Sequence, residues 1–318
     1  MKENAPDISF IIVNRNTKQI LLNCLRSIED TIEGLSFEIW AVDNGSSDTS
    51  VEAVNKFFPH VKIIRREINL GYAKATNVAL SRMNGRYAVL LNTDTVLKED
   101  AIKTIVEFMD KKPEIGICGG QLLNADGSKQ NSIANIPSLA TELTNKSLLR
   151  RLFPARFPGK ESHFLEPIEV ESIIGACMVV RKEAIDDVGI LDEEYFFFFE
   201  ETDWCFRFTK HGWKVFHHPK AKILHLQGQS AKKEYIGSRI EYWKSRYIFF
   251  RKHKGLVTRI ILRAGLLIRL LIEFLLLILY NTITLFAIHK VRRKLRLYAS
   301  LVLWHLKGCP DSWGLLSH

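Results

Sequence analysis

The chain has 318 residues, 47% apolar and 25% charged, the proportions of a folded protein and not of a disordered or collagen-like one. Its net charge of +10 is uneven: residues 231–300 hold 16 Lys/Arg against 3 Asp/Glu, while residues 1–230 hold 28 against 31. A basic segment interleaved with Leu, Ile, Phe and Trp suits an anionic membrane surface and argues against nucleic acid as the partner.

The first 120 residues alternate strand and helix signals. Ile8–Val13 is an apolar run with only Ser9 polar, as a strand buried on both faces requires. Leu21, Leu22, Leu25, Ile28 and Ile32 follow at helical spacing. Phe37–Val42 reads as the second strand, and Asp48 as the cap of a helix holding Val51, Val54 and Phe58. Val61–Ile64 is a third strand, Gly71–Met83 a helix ended by Asn84-Gly85, and Tyr87–Leu91 a fourth strand. A helix over 99–112 and a strand near 115–118 complete the pattern. Such alternation predicts an α/β fold with a mostly parallel sheet, whose ligands bind beyond the carboxyl ends of the strands. Asp43 and Asp94 both fall at those ends.

Residues 122–168 read as a hairpin around Asn124-Ala-Asp-Gly127, then a loop-rich region that either shapes an acceptor pocket or is plain surface loop. The chain turns helical from 231. Its longest uncharged run, Phe274–Ile288, gives about 22 Å of helix, short of a hydrocarbon core of roughly 30 Å. Arg259, Arg263, Arg269 and Glu273 share one side of that helix, so it is expected to lie in a membrane interface. A re-entrant or transmembrane segment at 256–289 is the alternative. Five scattered cysteines without a CxxC pair, and no opening signal peptide, predict a protein on the cytoplasmic face of the membrane.

Four constellations could carry chemistry. Asp43 follows a buried strand and opens a Gly/Ser turn, where it can accept from a nucleobase or ribose; as a plain turn it needs only Asp43 as turn former and Asp48 as cap. Asn92-Thr93-Asp94 offers one strand-end carboxylate that can hold Mg2+ or Mn2+ together with phosphates, or cap the next helix. Glu200, Glu201 and Asp203 follow four phenylalanines, surroundings that raise a carboxylate's pKa toward that of a general base; a charged first helical turn is the plainer alternative. His225 lies at a strand end, where imidazole can complete a metal site or be structural.

Taken in order, the blocks Ser9–Asn16 (SFIIVNRN), Val42–Asp48 (VDNGSSD), Asn69–Asn77 (NLGYAKATN) and Leu90–Thr95 (LLNTDT) resemble the family 2 glycosyltransferases of GT-A fold, in particular their rhamnosyltransferase-like branch. Gly175-Ala-Cys-Met178, Asp192 through Arg207 and the HxxGxS pattern of His225–Ser230 continue the match over roughly residues 8–254. The resemblance implies a catalytic domain over 1–230, with a nucleotide-binding half to 120 and an acceptor half beyond, followed by a basic amphipathic membrane-associating region over 231–318. It implies a nucleobase contact at Asp43, a metal ligand at Asp94 with His225 closing the site, and Glu201 as catalytic base flanked by Glu200 and Asp203. It further assigns donor contacts to Asn14, Asn16, Asn69, Gly71, Lys74, Asn92, Gly175 and Trp204. Asn92 replaces the first Asp of the usual metal motif, and Glu201 stands where many relatives carry Asp. The implied reaction is inverting transfer of a sugar, rhamnose from dTDP-rhamnose first and a UDP-sugar next, to a glycan or polyprenyl-linked acceptor with Mn2+ or Mg2+. An inactive sugar-binding module is the non-enzymatic alternative.

Overall fold

The structure is a computed structural model that describes residues 5–158, 162, 164–226 and 235–315. Gln227–Ser230, the remainder of the HxxGxS pattern, lie outside the described residues. Two compact units emerge: residues 1–136 with 153–233 and 317–318, and residues 137–152 with 234–316.

The first unit is built on β1 (Ile8–Asn14), α1 (Lys18–Thr31), β2 (Phe37–Asn44), α2 (Ser50–Phe57), β3 (Lys62–Arg66), α3 (Tyr72–Leu80), β4 (Tyr87–Leu91), β5 (Thr95–Leu97), α4 (Ala101–Asp110) and β6 (Ile115–Leu123). Strand β7 (Ile133–Ala134) precedes two helices of the second unit, α5 (Leu139–Leu143) and α6 (Lys146–Leu152). The first unit resumes with β8 (Ile168–Glu169), β9 (Ser172–Ile173), β10 (Cys177–Arg181), α7 (Lys182–Val188), α8 (Glu200–Lys210) and β11 (Lys214–His225). The second unit continues as α9 (Tyr235–His253), α10 (Leu256–Ile283) and α11 (His289–Leu306).

The main sheet runs β3-β2-β1-β4-β10-β6-β11-β5. Its N-terminal part is parallel, as the alternation of strands and helices predicts, with Asn14 in register with Asp43. Strand β10 is inserted antiparallel between β4 and β6, and β11 returns parallel to β6 while pairing antiparallel with β5. Both faces are covered. Ile8, Phe10 and Ile12 with Tyr87, Val89 and Leu91 pack under α1 and α4, whereas Ile11, Ala88 and Leu90 pack under α3 and α8. This period-two division is why the apolar runs are continuous in sequence. Burying one such Leu or Ile side chain contributes about 1.5–3 kcal/mol.

In the second unit, α10 buries Leu262, Leu266 and Leu270 at four-residue spacing and leaves Ile268, Leu271, Ile272, Leu275, Leu276 and Leu279 exposed. The helix ends at Ile283, short of residue 289, because the chain turns through Leu285 and Phe286, both with positive φ. No helix among the described residues is long and apolar enough to cross a membrane. Leu139–Leu143 and Lys146–Leu152, read from sequence as part of the loop-rich middle, are helical.

Candidate active site

The carboxyl ends of the parallel strands carry a hydrogen-bonded rim. Asn14 is buried at the end of β1 and donates through Nδ2 to Asp43 Oδ1 at 3.3 Å and Ser46 Oγ at 3.1 Å. Its Oδ1 accepts from the Thr17 hydroxyl at 2.7 Å, and that hydroxyl reaches Thr93 Oγ1 at 3.2 Å. The Ser46 amide approaches Asp43 Oδ2 at 3.3 Å, so Asp43 is braced from two sides. Asn16, at φ 54°, accepts from the Ser47 amide at 2.8 Å, closing the turn on β1. Asp48 does more than start one helix: it accepts from the Lys18 amide at the head of α1 and from the Ser50 amide and hydroxyl at the head of α2.

A second set of contacts shapes the approach of α3 to α8. Asn44 donates to Asn69 Oδ1 at 2.9 Å and accepts from the Leu70 amide at 2.8 Å, and the Gly71 amide also donates to Asn69 Oδ1. Gly71 sits at φ +79°, and a Cβ there would lie 2.5 Å from the Phe196 carbonyl oxygen, so only glycine fits. The next amide, of Tyr72, donates to that carbonyl at 2.7 Å. Phe198 and Phe199 take left-handed φ values of 70° and 68°, strain that delivers the chain into α8 at Glu200. Lys74 is exposed on the first turn of α3.

The three acids of α8 do not share one environment. Asp203 is fully buried, paired with Arg207 at 2.8 Å and accepting from the Tyr195 hydroxyl at 3.3 Å, so it anchors the helix. Glu200 is buried as well. Glu201 is partly exposed and rests on Gly175, where a Cβ would meet its Cβ and Cγ at 3.3 Å. Burial of its carboxyl raises the pKa, opposed by amides of the helix N-terminus, and Oε2 has no hydrogen-bond partner among the described residues. A carboxylate at a helix start with one desolvated, unpartnered oxygen is a group prepared to take a proton. The assignment of Trp204 to the donor is corrected: it is fully buried in the core, its Nε1 donates to the Gly189 carbonyl at 2.8 Å, and its ring packs edge-on to Phe208.

Glu201 and Asp94 are linked through the sheet. The Asn92 amide donates to the Ala176 carbonyl at 3.0 Å, which ties the Asn92–Asp94 turn to the residue after Gly175. Asp94 Oδ1 lies 3.4 Å from His225 Nε2, and the Leu226 amide donates to the Asp94 carbonyl at 2.8 Å. Gln130, which the sequence reading did not single out, fixes the imidazole: its Oε1 is 3.0 Å from His225 Nδ1, and its Nε2 donates to the His225 carbonyl. With Nδ1–H directed at Gln130, Nε2 is left as the acceptor beside Asp94.

This pair fits a divalent metal. Two cis ligands of an octahedral ion at about 2.1 Å lie about 3 Å apart, close to the observed 3.4 Å. Among the described residues no three His, Cys, Asp or Glu side chains gather as a closed metal cage. A metal held by Asp94 and His225 would therefore complete its shell with phosphate oxygens and water.

The Glycosyl transferase family 2 profile matches residues 9–189. The chain is 28% identical over 230 residues, 67% of its length and 74% of the relative's, to the N-acetylglucosaminyl-diphospho-decaprenol L-rhamnosyltransferase of Mycobacterium tuberculosis. It is 27% identical over 209 residues, 63% of its length and 61% of the relative's, to the low-salt glycan biosynthesis hexosyltransferase Agl10 of Haloferax volcanii. Among solved structures, the Pyrobaculum calidifontis mannosyltransferase PcManGT in complex with GDP-Man and Mn2+ superposes with TM-score 0.57 at 14% identity, covering 96% of this chain and 88% of that one. The match spans more than half of the chain and the sheet is that of the GT-A fold, so this protein belongs to glycosyl transferase family 2 and resembles its rhamnosyltransferase-like branch.

Proposed function

We propose that the protein is an inverting, metal-dependent transferase that moves a sugar, rhamnose from dTDP-rhamnose first, onto a glycan or lipid-linked acceptor in cell-surface polysaccharide synthesis. The observation that carries this reading is the placement of Glu201 on Gly175, one residue from the carbonyl that holds the Asn92–Asp94 turn. Asp43 and Asn14 receive the nucleoside at the rim of β1 and β2, and Asn69 and Gly71 keep the head of α3 open to the donor. Glu201 takes the proton of the acceptor hydroxyl as that oxygen attacks the anomeric carbon from the face opposite the leaving group. A divalent metal, when bound at Asp94 and His225, supplies the Lewis acid that offsets charge on the departing nucleoside diphosphate. Fixing donor and acceptor together lowers the barrier further.

The rhamnosyl preference draws on the Mycobacterium relative, whose name gives a diphospho-decaprenol acceptor. A lipid-linked acceptor also agrees with the basic balance of residues 231–300 and the exposed apolar side of α10, which favour peripheral attachment at the cytoplasmic face of the membrane. Thermal-shift titration of the full chain with Mn2+ and a panel of dTDP- and UDP-sugars tests the donor. Stabilisation by dTDP-rhamnose above the UDP-sugars, lost when Mn2+ is withheld, is expected; stabilisation by a UDP-sugar alone overturns the rhamnosyl assignment.

A further inference from the structure

The second unit encloses a cavity of about 280 Å³ that the transfer chemistry does not use. Its charged lining is Arg239, Arg246, Arg269 and Lys294 against Glu142 and Glu273. Both carboxylates are already engaged. Arg246 Nε lies 3.0 Å from Glu142 Oε2, Arg269 donates to Glu273 Oε1 at 2.8 Å, and the Tyr298 hydroxyl also donates to Glu273. Arg239 and Lys294 have no carboxylate within ion-pairing distance among the described residues. The cavity therefore presents an excess of two positive charges, with guanidinium groups whose planar donors match phosphate oxygens.

Aromatic rings frame the same opening. Trp243 and Tyr235 line it, and Arg246 is stacked 5.1 Å from the Trp243 ring. Helix α10 contributes Leu266, Arg269, Leu270 and Glu273 to the cavity, while Ile268, Leu271, Ile272, Leu275 and Leu276 of the same helix face solvent. A cationic recess with an aromatic frame, continuous along one helix with an uncovered aliphatic surface, matches a ligand with an anionic head and a hydrocarbon chain.

We propose that this cavity binds the diphosphate headgroup of a membrane lipid, with the lipid chain lying along the exposed face of α10. The assignment rests on the lipid-linked acceptor reading above and names where such an acceptor is held. Arg239 and Lys294 take the charge not met by Glu142 and Glu273, and Arg246 and Arg269, fixed by their carboxylate partners, set its position.

The test is flotation of the full chain with phosphatidylcholine vesicles carrying either a polyprenyl diphosphate or phosphatidylglycerol at equal charge. Direct charge-assisted contacts from Arg239 and Lys294 to the diphosphate predict a preference of about tenfold or more for the diphosphate lipid at equal surface charge. Arg239→Gln/Lys294→Gln should abolish that preference, whereas Lys290→Gln/Arg292→Gln on α11, which removes equal charge outside the cavity, should keep it. Equal binding of both vesicles by the unaltered chain overturns the proposal whatever the variants do. So does a preference that survives in Arg239→Gln/Lys294→Gln, or inorganic pyrophosphate that binds as tightly as the lipid. Transfer to a lipid-linked acceptor without the vesicle preference sinks the cavity and spares the acceptor reading. A vesicle preference without transfer to any lipid-linked acceptor sinks the acceptor reading instead.

Discussion

Gly175 and Glu201 are in contact, with room for no side chain at Gly175 unless Glu201 gives way by a few tenths of an ångström. The first residue of the Gly175–Met178 block thus sets how far the carboxyl of α8 stands from the strand ends. Gly175→Ala should lower kcat about tenfold with the donor KM little changed, since small misplacements of a reacting group are costly. Steady-state kinetics with both substrates varied check it; a change confined to the donor KM would place Gly175 in donor binding alone.

Glu201→Gln removes the proposed proton acceptor but keeps the shape. Transfer should fall by 10² to 10⁴, the usual contribution of general base catalysis, with donor affinity retained. Because burial raises the folded-state pKa of Glu201, ionising it costs stability as pH rises from the ordinary carboxylate range through that raised value. The variant should therefore melt higher than the unaltered protein at neutral pH. A lower melting temperature, or undiminished transfer, would count against both its burial and its role.

Gln130→Leu leaves the ring of His225 without its Nδ1 partner. Mn2+ affinity, read by EPR titration in the presence of the nucleoside diphosphate, should fall about tenfold or more, as is usual when a metal-binding histidine loses its orienting hydrogen bond. Gln130→Glu, which keeps an oxygen for Nδ1–H, should recover most of it. Unchanged Mn2+ affinity in Gln130→Leu would detach His225 from the metal.

Trp204→Ala tests the correction made above. Removal of a fully buried indole should cost about 3–5 kcal/mol in urea unfolding, while the donor KM of the protein that remains folded stays the same. A raised donor KM at full stability would return Trp204 to the donor site.

His217 on β11 is buried, and desolvation, with His218 and Lys129 adding positive charge nearby, pulls its pKa down to about 4. The folded protein keeps it neutral while the unfolded chain takes up a proton near the ordinary value of about 6.5. Stability is thus lost as pH falls from about 6.5 to about 4, by roughly 3 kcal/mol from this residue. Urea midpoints at neutral pH and at about pH 4.5 should converge in His217→Gln relative to the unaltered protein; equal pH slopes would show that His217 is not the group responsible.

Strands β1 and β4 were legible because each is buried on both faces and writes itself as an almost wholly apolar run, Ile8–Val13 with only Ser9 polar and Tyr87–Leu91. The antiparallel entry of β10 was not, since Cys177–Arg181 is equally apolar in either direction. Asp43, Asp94, Glu200, Glu201, Asp203 and His225 announce themselves by residue type. Gln130 does not, because an amide carries no reactive chemistry, and its place depends on the Asn124–Gly127 turn folding the chain back beside the strand that ends at His225. Trp204 misled for the converse reason: its position beside Glu201 and Asp203 in sequence says nothing of the 100° that separates successive helical residues. Helices α5 and α6 escaped because they are short, and α5 packs against α10, more than a hundred residues further on.

The chain of contacts from Asp43 through Asn14 and Thr17 to Thr93 runs without a break from the nucleoside end to the turn that carries Asp94. On the proposed reading, a base held at Asp43 and a metal held at Asp94 are thereby mechanically coupled. Substitutions that retarget the protein from one nucleotide to another at Asp43 or Asn14 will disturb the turn at Thr93 as well, and their effects will not add with those at Asp94.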